Sequence, residues 1–288
     1  MASAKATKVA LAASLGVSRA SLYYKPKRPP SDEALKAKIA AVMAENPAYG
    51  HRRVATALVM NRKPVIRVMR LFGLKPRVRR GVRFVKPDDR GRPETRIPNV
   101  LKVLRPIRAN VVWAGDFTYF WFLGRFWFAA TVIDVHTREV LGWHVANHHT
   151  TALVIEAFRD AVRRTGASPE WFHSDQGSEY VAGAYESLLA SHGTKASQSR
   201  KGSPWQNGFQ ESFYSGFKLE LGDVGRFAHV GELIEAVHQQ VAYYNNRRIH
   251  SALDMPPVAY RELQEQKIAA FAAPTGYFYS TGLLVKSV

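Results

Sequence analysis

Three consecutive runs of aromatic, β-branched and small apolar residues fill most of positions 110–145, and they constrain the fold more than any other feature of the chain. The runs cover 110–119, 125–134 and 139–145, with Gly124 in the first gap and His136-Thr137-Arg138 in the second. Short apolar runs bounded by turn residues predict β-strands. Because the gaps are short, consecutive strands must reverse direction, so we expect an antiparallel meander of three strands.

After the meander, helix-like and strand-like patterns alternate, beginning with an amphipathic segment capped at Thr150. The order strand-strand-strand-helix-strand-helix-strand-helix is that of a ribonuclease-H-like sheet, in which three antiparallel strands continue into parallel ones. We therefore predict an α/β fold with a mixed five-stranded sheet, flanking helices, and the first and fourth strands adjacent at its centre. The predicted elements are helices at 150–165, 180–191, 206–221 and 232–246, and strands at 170–174 and 194–199.

The first 75 residues predict an all-α region that precedes the sheet. Residues 9–24 combine a short helix, a turn at Leu15-Gly16-Val17-Ser18 and a second helix capped by Ser18, which is typical of a helix-turn-helix motif. Three more helices follow, each bounded by a cap, a proline or a glycine. They run from a cap at Ser31 or Asp32 to about Glu45, over 51–60, and over 64–72.

Charge is divided unevenly along the chain. Residues 1–108 hold 26 Lys and Arg against 6 Asp and Glu, whereas residues 109–288 hold 15 against 17. A strongly basic half predicts a polyanionic partner, most often nucleic acid; a ribosomal-type or merely basic protein is the alternative on charge alone. Basic side chains would meet DNA phosphates. The candidate DNA-binding residues of both halves are Arg52, Arg53, Arg62, Lys63, Arg67, Arg70, Arg79, Arg80, Arg200, Lys201, Asn207, Lys218, Arg247 and Arg248.

These patterns predict four parts: a helical DNA-binding region (1–75), a basic linker (76–108), a sheet-forming core (109–264) and a tail (265–288) expected to form a small hairpin or to pack on the core. No apolar run approaches the roughly 18–20 residues that span a bilayer, and the first residues lack a signal-peptide pattern. We therefore expect a cytoplasmic, nucleoid-associated protein that has no membrane partner.

Three carboxylates stand in contexts that predict one site. Asp116 lies inside the first strand among apolar residues, where a carboxylate is costly to bury without a cation or strong hydrogen bonds. Asp175 follows the fourth strand, and Gly177 allows a sharp turn after it. Glu211 lies on the next helix, with Asn207 one turn before it. Because the first and fourth strands are adjacent in the predicted sheet, we expect the three carboxylates to meet.

The three carboxylates are the expected catalytic residues and the expected metal ligands. Three hard oxygen ligands would repel one another without a cation, and the chain has no Cys to supply a soft ligand, so Mg²⁺ or Mn²⁺ is expected. Two such ions roughly 3.5–4 Å apart can activate a water or sugar hydroxyl and stabilise the leaving oxygen of a phosphodiester. We therefore expect two ions at Asp116, Asp175 and Glu211.

Other notable residues of the core are interpreted as structural. Asp134 could be a fourth carboxylate near the metals, and His173 could orient a phosphate or transfer a proton, but packed and hydrogen-bonded roles are favoured for both. The aromatic residues of the first two strands are expected to fill the core or an interface rather than stack on bases. These are Phe117, Tyr119, Phe120, Trp121, Phe122, Phe126, Trp127 and Phe128.

The spacing of the carboxylates and the motifs around them resemble those of known enzymes. There are 58 residues between Asp116 and Asp175 and 35 between Asp175 and Glu211, which resembles the D, D-35-E signature of retroviral integrases and insertion-sequence transposases. The motifs are similar to those of the catalytic subunit, OrfB, of the insertion-sequence-three family. They are YGHRRV from Tyr49, WAGDFTY from Trp113, HSDQGSEY from His173, SRKGSPWQNGFQESF from Ser199 and YNNRRIHSAL from Tyr244. Lys218 falls at the family's basic position seven residues after Glu211, whereas Gly115 stands where the family often has Thr.

The resemblance implies a DNA transposase with an integrase-like core at 109–264, which cleaves and transfers DNA strands at element ends with divalent metal. It also implies terminal inverted repeats and target DNA as partners, an OrfA partner, and a homo-oligomer on DNA. A retroviral-type integrase would carry a His₂Cys₂ zinc module, which the absence of Cys argues against. An inactive DNA-binding relic or regulator is a further alternative, and a plain nuclease for RNA–DNA hybrids would not need the basic helical half.

Overall fold

The computed structural model describes residues 7–23, 28–78, 96–200, 202–272, 277–280 and 283–286. The chain forms two compact units, one of Met1–Glu45 with Gly50–Lys75 and one of Asn46–Tyr49 with Pro76–Val288. We call them the helical unit and the sheet unit. The predicted DNA-binding residues Arg79, Arg80 and Lys201, and most of the predicted linker, lie outside the described residues.

The sheet unit is built on a mixed five-stranded sheet with the order β3-β2-β1-β4-β5. Strands β1, β2 and β3 form the predicted antiparallel meander, and β1 also pairs with β4 in parallel, as β4 does with β5. The first and fourth strands are therefore adjacent at the centre, and the predicted ribonuclease-H-like α/β fold is confirmed. The strands are β1 (Val112–Phe122), β2 (Arg125–Asp134), β3 (Val140–Ala146), β4 (Trp171–Ser174) and β5 (Lys195–Gln198).

A two-residue turn joins β1 to β2. Phe122 pairs with Arg125, and the residues between them have positive φ angles, 49° at Leu123 and 75° at Gly124. Two positive φ angles match the type I′ turn, whose twist suits a tight antiparallel hairpin. The turn therefore fixes the register of the β1–β2 pair, including the pairing of Asp116 with Thr131.

Helices cover both faces of the sheet. A cluster around Trp113, Phe158 and Phe172 packs α5 and α6 on one face, and a cluster around Phe120 and Phe217 packs α7 and α8 on the other. Burial of these side chains supplies the main stabilisation, because apolar area removed from water contributes about 25 cal/mol per Å². The helices are α5 (Thr151–Thr165), α6 (Gly183–Ser191), α7 (Gly208–Leu221), preceded by a 3₁₀ helix at Pro204–Asn207, and α8 (Val230–Asn246).

The helical unit contains four α-helices among its described residues: α1 (Lys8–Ser14), α2 (Arg28–Glu45), α3 (His51–Ala57) and α4 (Arg62–Leu71). Helix α2 begins at Arg28, so the predicted cap at Ser31 or Asp32 is wrong. Asp32 is buried and accepts two hydrogen bonds from Arg67 of α4, which ties these two helices together. After α1 and the Gly16 turn, the second element of the predicted helix-turn-helix is a five-residue 3₁₀ helix, Arg19–Tyr23, rather than an α-helix.

Two further differences concern the ends of the core. Part of the predicted linker belongs to the sheet unit, because Val100 packs with Val112 and its backbone N–H donates to Ser197 Oγ at 2.9 Å. The predicted boundary at 264 falls inside a helix, α9 (Pro257–Ala272). Beyond it, β6 (Tyr277–Ser280) and β7 (Leu283–Lys286) form the antiparallel hairpin that was one expectation for the tail. Within the described part of the chain, no helix is both long and apolar enough to span a bilayer.

Candidate active site

Asp116 lies in the middle of the central strand β1, with its side chain only partly exposed. Its Oδ1 accepts the backbone N–H of Phe117 at 2.8 Å. Burial raises the pKa of Asp116 from 3.8 to about 7, and the negative charges of Asp175 and Glu211 add to the rise, while the Phe117 N–H opposes it. A carboxyl group with this pKa is half-protonated near neutral pH unless a cation stabilises its charge.

Gly115, immediately before Asp116, has no room for a side chain. A Cβ atom there would lie 2.3 Å from Cζ of Phe172 on β4, a distance that real Cβ atoms do not reach. This contact gives a physical reason for Gly in place of the family's Thr, because the Phe172 ring fills the space beside the strand. The backbone that carries Asp116 is thus packed closely against β4.

Asp175 is exposed and follows β4 at the carboxyl end of the strand. Its Oδ1 accepts the Gly177 N–H at 2.9 Å, which closes a tight turn. A little further on, buried Glu179 pairs with His149 Nδ1 at 2.7 Å. Burial alone would raise the pKa of Glu179, but the hydrogen bond from His149 brings it below its usual value. This pair anchors the loop that presents Asp175.

Glu211 lies on α7, and a polar stripe attaches that helix to β1. The stripe consists of Asn207, the last residue of the preceding 3₁₀ helix, and of Gln210, Tyr214 and Lys218, which are four residues apart on α7 and so share one face. Each of the four donates a hydrogen bond to a backbone carbonyl of β1. The bonds are Asn207 Nδ2 to Gly115 O (3.2 Å), Gln210 Nε2 to Ala114 O (2.5 Å), Tyr214 Oη to Asp116 O (2.7 Å) and Lys218 Nζ to Tyr119 O (3.0 Å).

Two residues of the stripe also reach β2, and sequence reasoning missed both. Gln210, which is fully buried, donates to Thr131 O at 3.1 Å and accepts from Thr131 Oγ at 3.0 Å. Tyr214 Oη lies 2.8 Å from the same Thr131 Oγ, whose single hydrogen is shared between Gln210 and Tyr214. A detectable signal existed: Gln210 and Tyr214 are polar residues four apart on the face of α7 that otherwise carries Phe213 and Phe217.

Asp116, Asp175 and Glu211 line one cavity of about 470 Å³. Three other predicted site residues, Arg200, Asn207 and Lys218, line it as well. The structure therefore brings six of the predicted residues to one place. Among the described residues, the lining consists of Asp116, Thr118, Asp175, Ser199, Arg200, Gly202, Ser203, Asn207, Glu211, Tyr214, Ser215 and Lys218.

The chemistry of the cavity suits a divalent cation. Its acidic ligands are carboxylates, which are hard oxygen donors, and the charges of Asp175 and Glu211 destabilise the ionised form of Asp116. In the described ranges, no three His, Asp or Glu side chains lie closely enough together to hold a metal ion. A cation bound by all three carboxylates would therefore draw them closer than they lie here.

Asn207 adds a polar acceptor to the cavity wall. Its side chain is buried and its Nδ2 donates to Gly115 O, but its Oδ1 has no hydrogen-bond partner among the residues that the structure describes. A buried acceptor without a partner is costly, so a donor is expected there when the site is engaged. A hydroxyl group or a water molecule would satisfy it.

The predicted DNA-binding residues differ in how accessible they are. Arg67 is bonded to Asp32, and Arg248 forms a buried ion pair with Glu220 at 2.6 Å, so DNA contact by Arg248 stays a prediction that would require this ion pair to open. Lys218 is engaged with the carbonyl of Tyr119. The side chains on the surface are those of Arg52, Arg62, Lys63, Arg67, Arg70 and Arg247, while Arg53 is partly buried.

Asp134 and His173 have the structural roles that sequence reasoning favoured. Asp134 is buried and accepts backbone N–H groups from Asn110, His136 and Thr137 at 2.8–2.9 Å, which closes the β2–β3 turn. His173 is fully buried and bonded to Ser197 Oγ at 2.9 Å. Burial lowers the pKa of His173 to about 4, so the ring is neutral at physiological pH.

The aromatic residues of β1 and β2 are not all in the core. Phe120 and Phe122 are buried, as expected. Tyr119, Trp121 and Phe126 are 56%, 60% and 45% exposed, so they do not fill the core, and the alternative expectation of a place in an interface stays a prediction. These three rings form a surface of their own at the end of the β1–β2 hairpin.

Comparisons with known proteins agree with this architecture. Two family models, each described as an integrase core domain, match residues 106–204 and 192–257. The transposase for insertion sequence element IS904 of Lactococcus lactis subsp. lactis (strain IL1403) is 33% identical over 231 residues, which cover 77% of this chain and 90% of that protein. The transposase for insertion sequence element IS629 of Shigella sonnei is 30% identical, covering 80% of this chain and 79% of that protein.

A solved structure is also similar. The HTLV-2 integrase catalytic core domain in complex with magnesium has a TM-score of 0.46 and 17% sequence identity. The match covers 55% of this chain and 99% of that chain.

Proposed function

This chain belongs to the insertion-sequence-three family of DDE transposases, and we propose that Asp116, Asp175 and Glu211 are the carboxylates with which it cleaves and joins DNA strands. The observation that carries the proposal is their presence in one cavity, where burial, with the charges of Asp175 and Glu211 adding to it, raises the pKa of Asp116 to about 7. Sites of this kind bring carboxylates together to bind cations, because the ionised groups otherwise repel one another.

The three carboxylates would hold Mg²⁺ or Mn²⁺, as two ions, in this cavity. When bound, the ions supply Lewis-acid stabilisation of charge on the phosphodiester and activation of the attacking hydroxyl. Asp116 is held by its strand and Glu211 by the polar stripe of α7, so the protein positions two of the three ligands on rigid elements. Asp175 is positioned by its turn and by the His149–Glu179 pair.

The reaction consists of two in-line displacements at phosphorus. In cleavage, a water oxygen bonds to the phosphorus and the bond to the 3′ oxygen breaks, which leaves a 3′-hydroxyl and a 5′-phosphate. In joining, that 3′ hydroxyl loses its proton and its oxygen bonds to a phosphorus of the target strand, while the bond from this phosphorus to the target's 3′ oxygen breaks and leaves a 3′-hydroxyl on the target. The unpartnered Oδ1 of Asn207 would accept the hydroxyl hydrogen of the nucleophile and so orient its lone pair.

The helical unit would bind the ends of the element through its exposed basic side chains. Arg52, Arg62, Lys63 and Arg70 all lie on its surface, and each phosphate contact releases counterions from the duplex. We further propose that the transposase acts as a homo-oligomer on terminal inverted repeats and target DNA, with an OrfA partner. Its DNA substrate would place it with the nucleoid in the bacterial cytoplasm.

The test is Glu211→Gln in the full chain, assayed on labelled ends of the element that encodes it, with Mg²⁺, and with and without OrfA. Glutamine keeps the size of the side chain but removes the charge, so we expect strand transfer to be lost and binding of the ends to persist. The matched control is Glu235→Gln, an exposed glutamate on α8 outside the cavity. Undiminished joining by Glu211→Gln would refute the assignment.

A further inference from the structure

The three exposed rings of the β1–β2 hairpin, Tyr119, Trp121 and Phe126, are here called the aromatic face. More than two fifths of each residue is exposed to water, although rings of this size gain more from burial than most side chains. Exposed aromatic clusters on proteins mark surfaces that bind something.

The rings of the aromatic face support one another. Trp121 pairs with Phe126 in the register of the hairpin, and their ring centroids are 4.8 Å apart at an interplanar angle of 71°. Tyr119 packs against Phe126 at 5.4 Å and 86°. The edge-to-face contacts fix the three rings while part of each remains open to solvent. The face is therefore organised before any partner binds.

Charge favours a polyanionic partner for the aromatic face. No Asp or Glu occurs between positions 117 and 133, whereas Arg125 is exposed in the same hairpin. The ammonium group of Lys218 lies 4.8 Å from the centroid of the Tyr119 ring. Rings flanked by cations, on a hairpin segment that carries no carboxylate of its own, suit single-stranded nucleic acid.

Lys218 links the aromatic face to the cavity of the three carboxylates. It lines the cavity, its ammonium group donates to the carbonyl of Tyr119, and it lies 4.8 Å from the centroid of the Tyr119 ring. The side chains of Tyr119 and Trp121 alternate with those of Asp116 and Thr118 along β1, and Trp121 is five residue steps, roughly 17 Å, from Asp116. A DNA strand engaged at Asp116 therefore has neighbouring nucleotides within reach of the face.

The size of the face argues against a second copy of this chain as its partner. Aromatic side chains bury roughly 150–250 Å² each, so three half-exposed rings offer on the order of 300–400 Å². A stable protein–protein interface needs roughly 800 Å² from each partner. Three rings are, in contrast, sufficient for one to three bases, since each base stacks on one ring.

We propose that the aromatic face binds unpaired bases of the DNA strand whose phosphodiester lies in the cavity. The inference rests on the proposed function, and it adds that this transposase engages a locally separated strand rather than an intact duplex. Recognition is by stacking on Tyr119, Trp121 and Phe126, so it tolerates any base sequence.

The test compares two fluorescent DNA probes in metal-free buffer: a blunt duplex, and the same duplex with a 3′ tail of five adenines. Full-length wild type is titrated against both, with Trp121→Leu and Trp121→Phe as variants. Leucine keeps apolar area but removes the ring, whereas phenylalanine keeps a ring. Val103→Ala, which removes part of another highly exposed apolar side chain, is the matched control. Light scattering gives the oligomeric state of each protein, and Phe126→Leu repeats the test at a second ring.

We expect wild type, Trp121→Phe and the control to bind the tailed probe at least about fivefold more tightly than the blunt one. Trp121→Leu and Phe126→Leu should lose that preference while binding the blunt probe normally. Equal affinity of wild type for both probes would overturn the proposal. So would leucine variants that keep the preference, or that change only the oligomeric state, which would indicate a second copy as the partner.

This test can fail independently of the test of Asp116, Asp175 and Glu211. The preference for the tailed probe is measured without metal and without catalysis, so Glu211→Gln should retain it. If Glu211→Gln joined DNA normally, the triad would be wrong but tail binding would stand. If tail preference were absent and Glu211→Gln inactive, only the aromatic face would be refuted.

Discussion

Replacing Asp116 by Asn should stabilise the metal-free protein at neutral and alkaline pH, while it abolishes catalysis. The folded pKa of Asp116 is about 7, above its ordinary 3.8, so between these values the folded state keeps a proton that the unfolded chain releases. Folding is therefore penalised progressively as pH rises from about 4 to about 7, and the penalty is complete above the folded pKa. Asparagine carries no charge and still offers an oxygen to the Phe117 N–H.

The size of the effect follows from the pKa difference. A difference of about 3 pH units, at about 1.4 kcal/mol for each unit, corresponds to about 4 kcal/mol at pH values above 7. Near pH 5.5 the penalty is only about 2 kcal/mol, because the folded carboxyl group is mostly protonated there. The advantage of Asp116→Asn in free energy of unfolding should thus grow by about 2 kcal/mol between pH 5.5 and pH 8.

Urea unfolding in EDTA, followed by tryptophan fluorescence, measures this quantity. All six Trp residues lie between positions 113 and 205, so the signal reports the sheet unit alone. Adding Mg²⁺ at pH 8 should stabilise wild type but not Asp116→Asn, because the cation offsets a charge that the variant lacks. The exposed control Glu235→Gln should follow wild type throughout. The reasoning would be refuted if the free energies of unfolding of wild type and Asp116→Asn changed with pH in parallel. Equal stabilisation of both proteins by Mg²⁺ would refute it as well.

Three other substitutions test the packing around the site. Gln210→Ala removes three buried hydrogen bonds and should lower the free energy of unfolding by roughly 2–4 kcal/mol and slow joining; unchanged stability would contradict the bridging role. Gly115→Ala places a Cβ against the Phe172 ring and should cost about 1–3 kcal/mol and reduce cleavage; a fully active variant would disprove the tight contact. Arg248→Met leaves the buried Glu220 carboxylate without its ion-pair partner and should lower the free energy of unfolding by about 3–5 kcal/mol, with an unchanged Kd for DNA. Weaker DNA binding by a stable variant would instead support the predicted contact of Arg248 with DNA.

Sequence reasoning succeeded where the determining interactions are local. Strand β2 has the predicted bounds, because its apolar run is flanked by a tight turn on each side. The position of β1 beside β4 followed from the order of the elements, and that adjacency is what predicted a meeting of Asp116 and Asp175. Helix α9 was missed, although Pro257 at its first position is a usual start signal.

The errors concern residues whose partners are distant in the chain. Arg248 looks like a surface cation in the sequence, but its partner Glu220 is 28 residues away and both side chains are buried. Gln210 bonds to Ala114, 96 residues earlier, so the helical spacing of Gln210 and Tyr214 could mark them as unusual but could not identify their partners. The exposure of Trp121 was equally hard to predict, because its neighbours Phe120 and Phe122 are buried. Which rings of the sheet stay exposed to solvent depends on how far the covering helices extend.

The polar stripe of α7 has a consequence for the response of the enzyme to ionic strength. Three of its four contacts with β1, those of Asn207, Gln210 and Tyr214, join uncharged groups, so counterions do not screen them. DNA binding, in contrast, weakens steeply with added electrolyte, since each neutralised phosphate contributes a slope of about −0.9 in log–log form. An increase in ionic strength should therefore dissociate DNA from the enzyme. The turnover rate of enzyme–DNA complexes that have already formed should stay nearly constant.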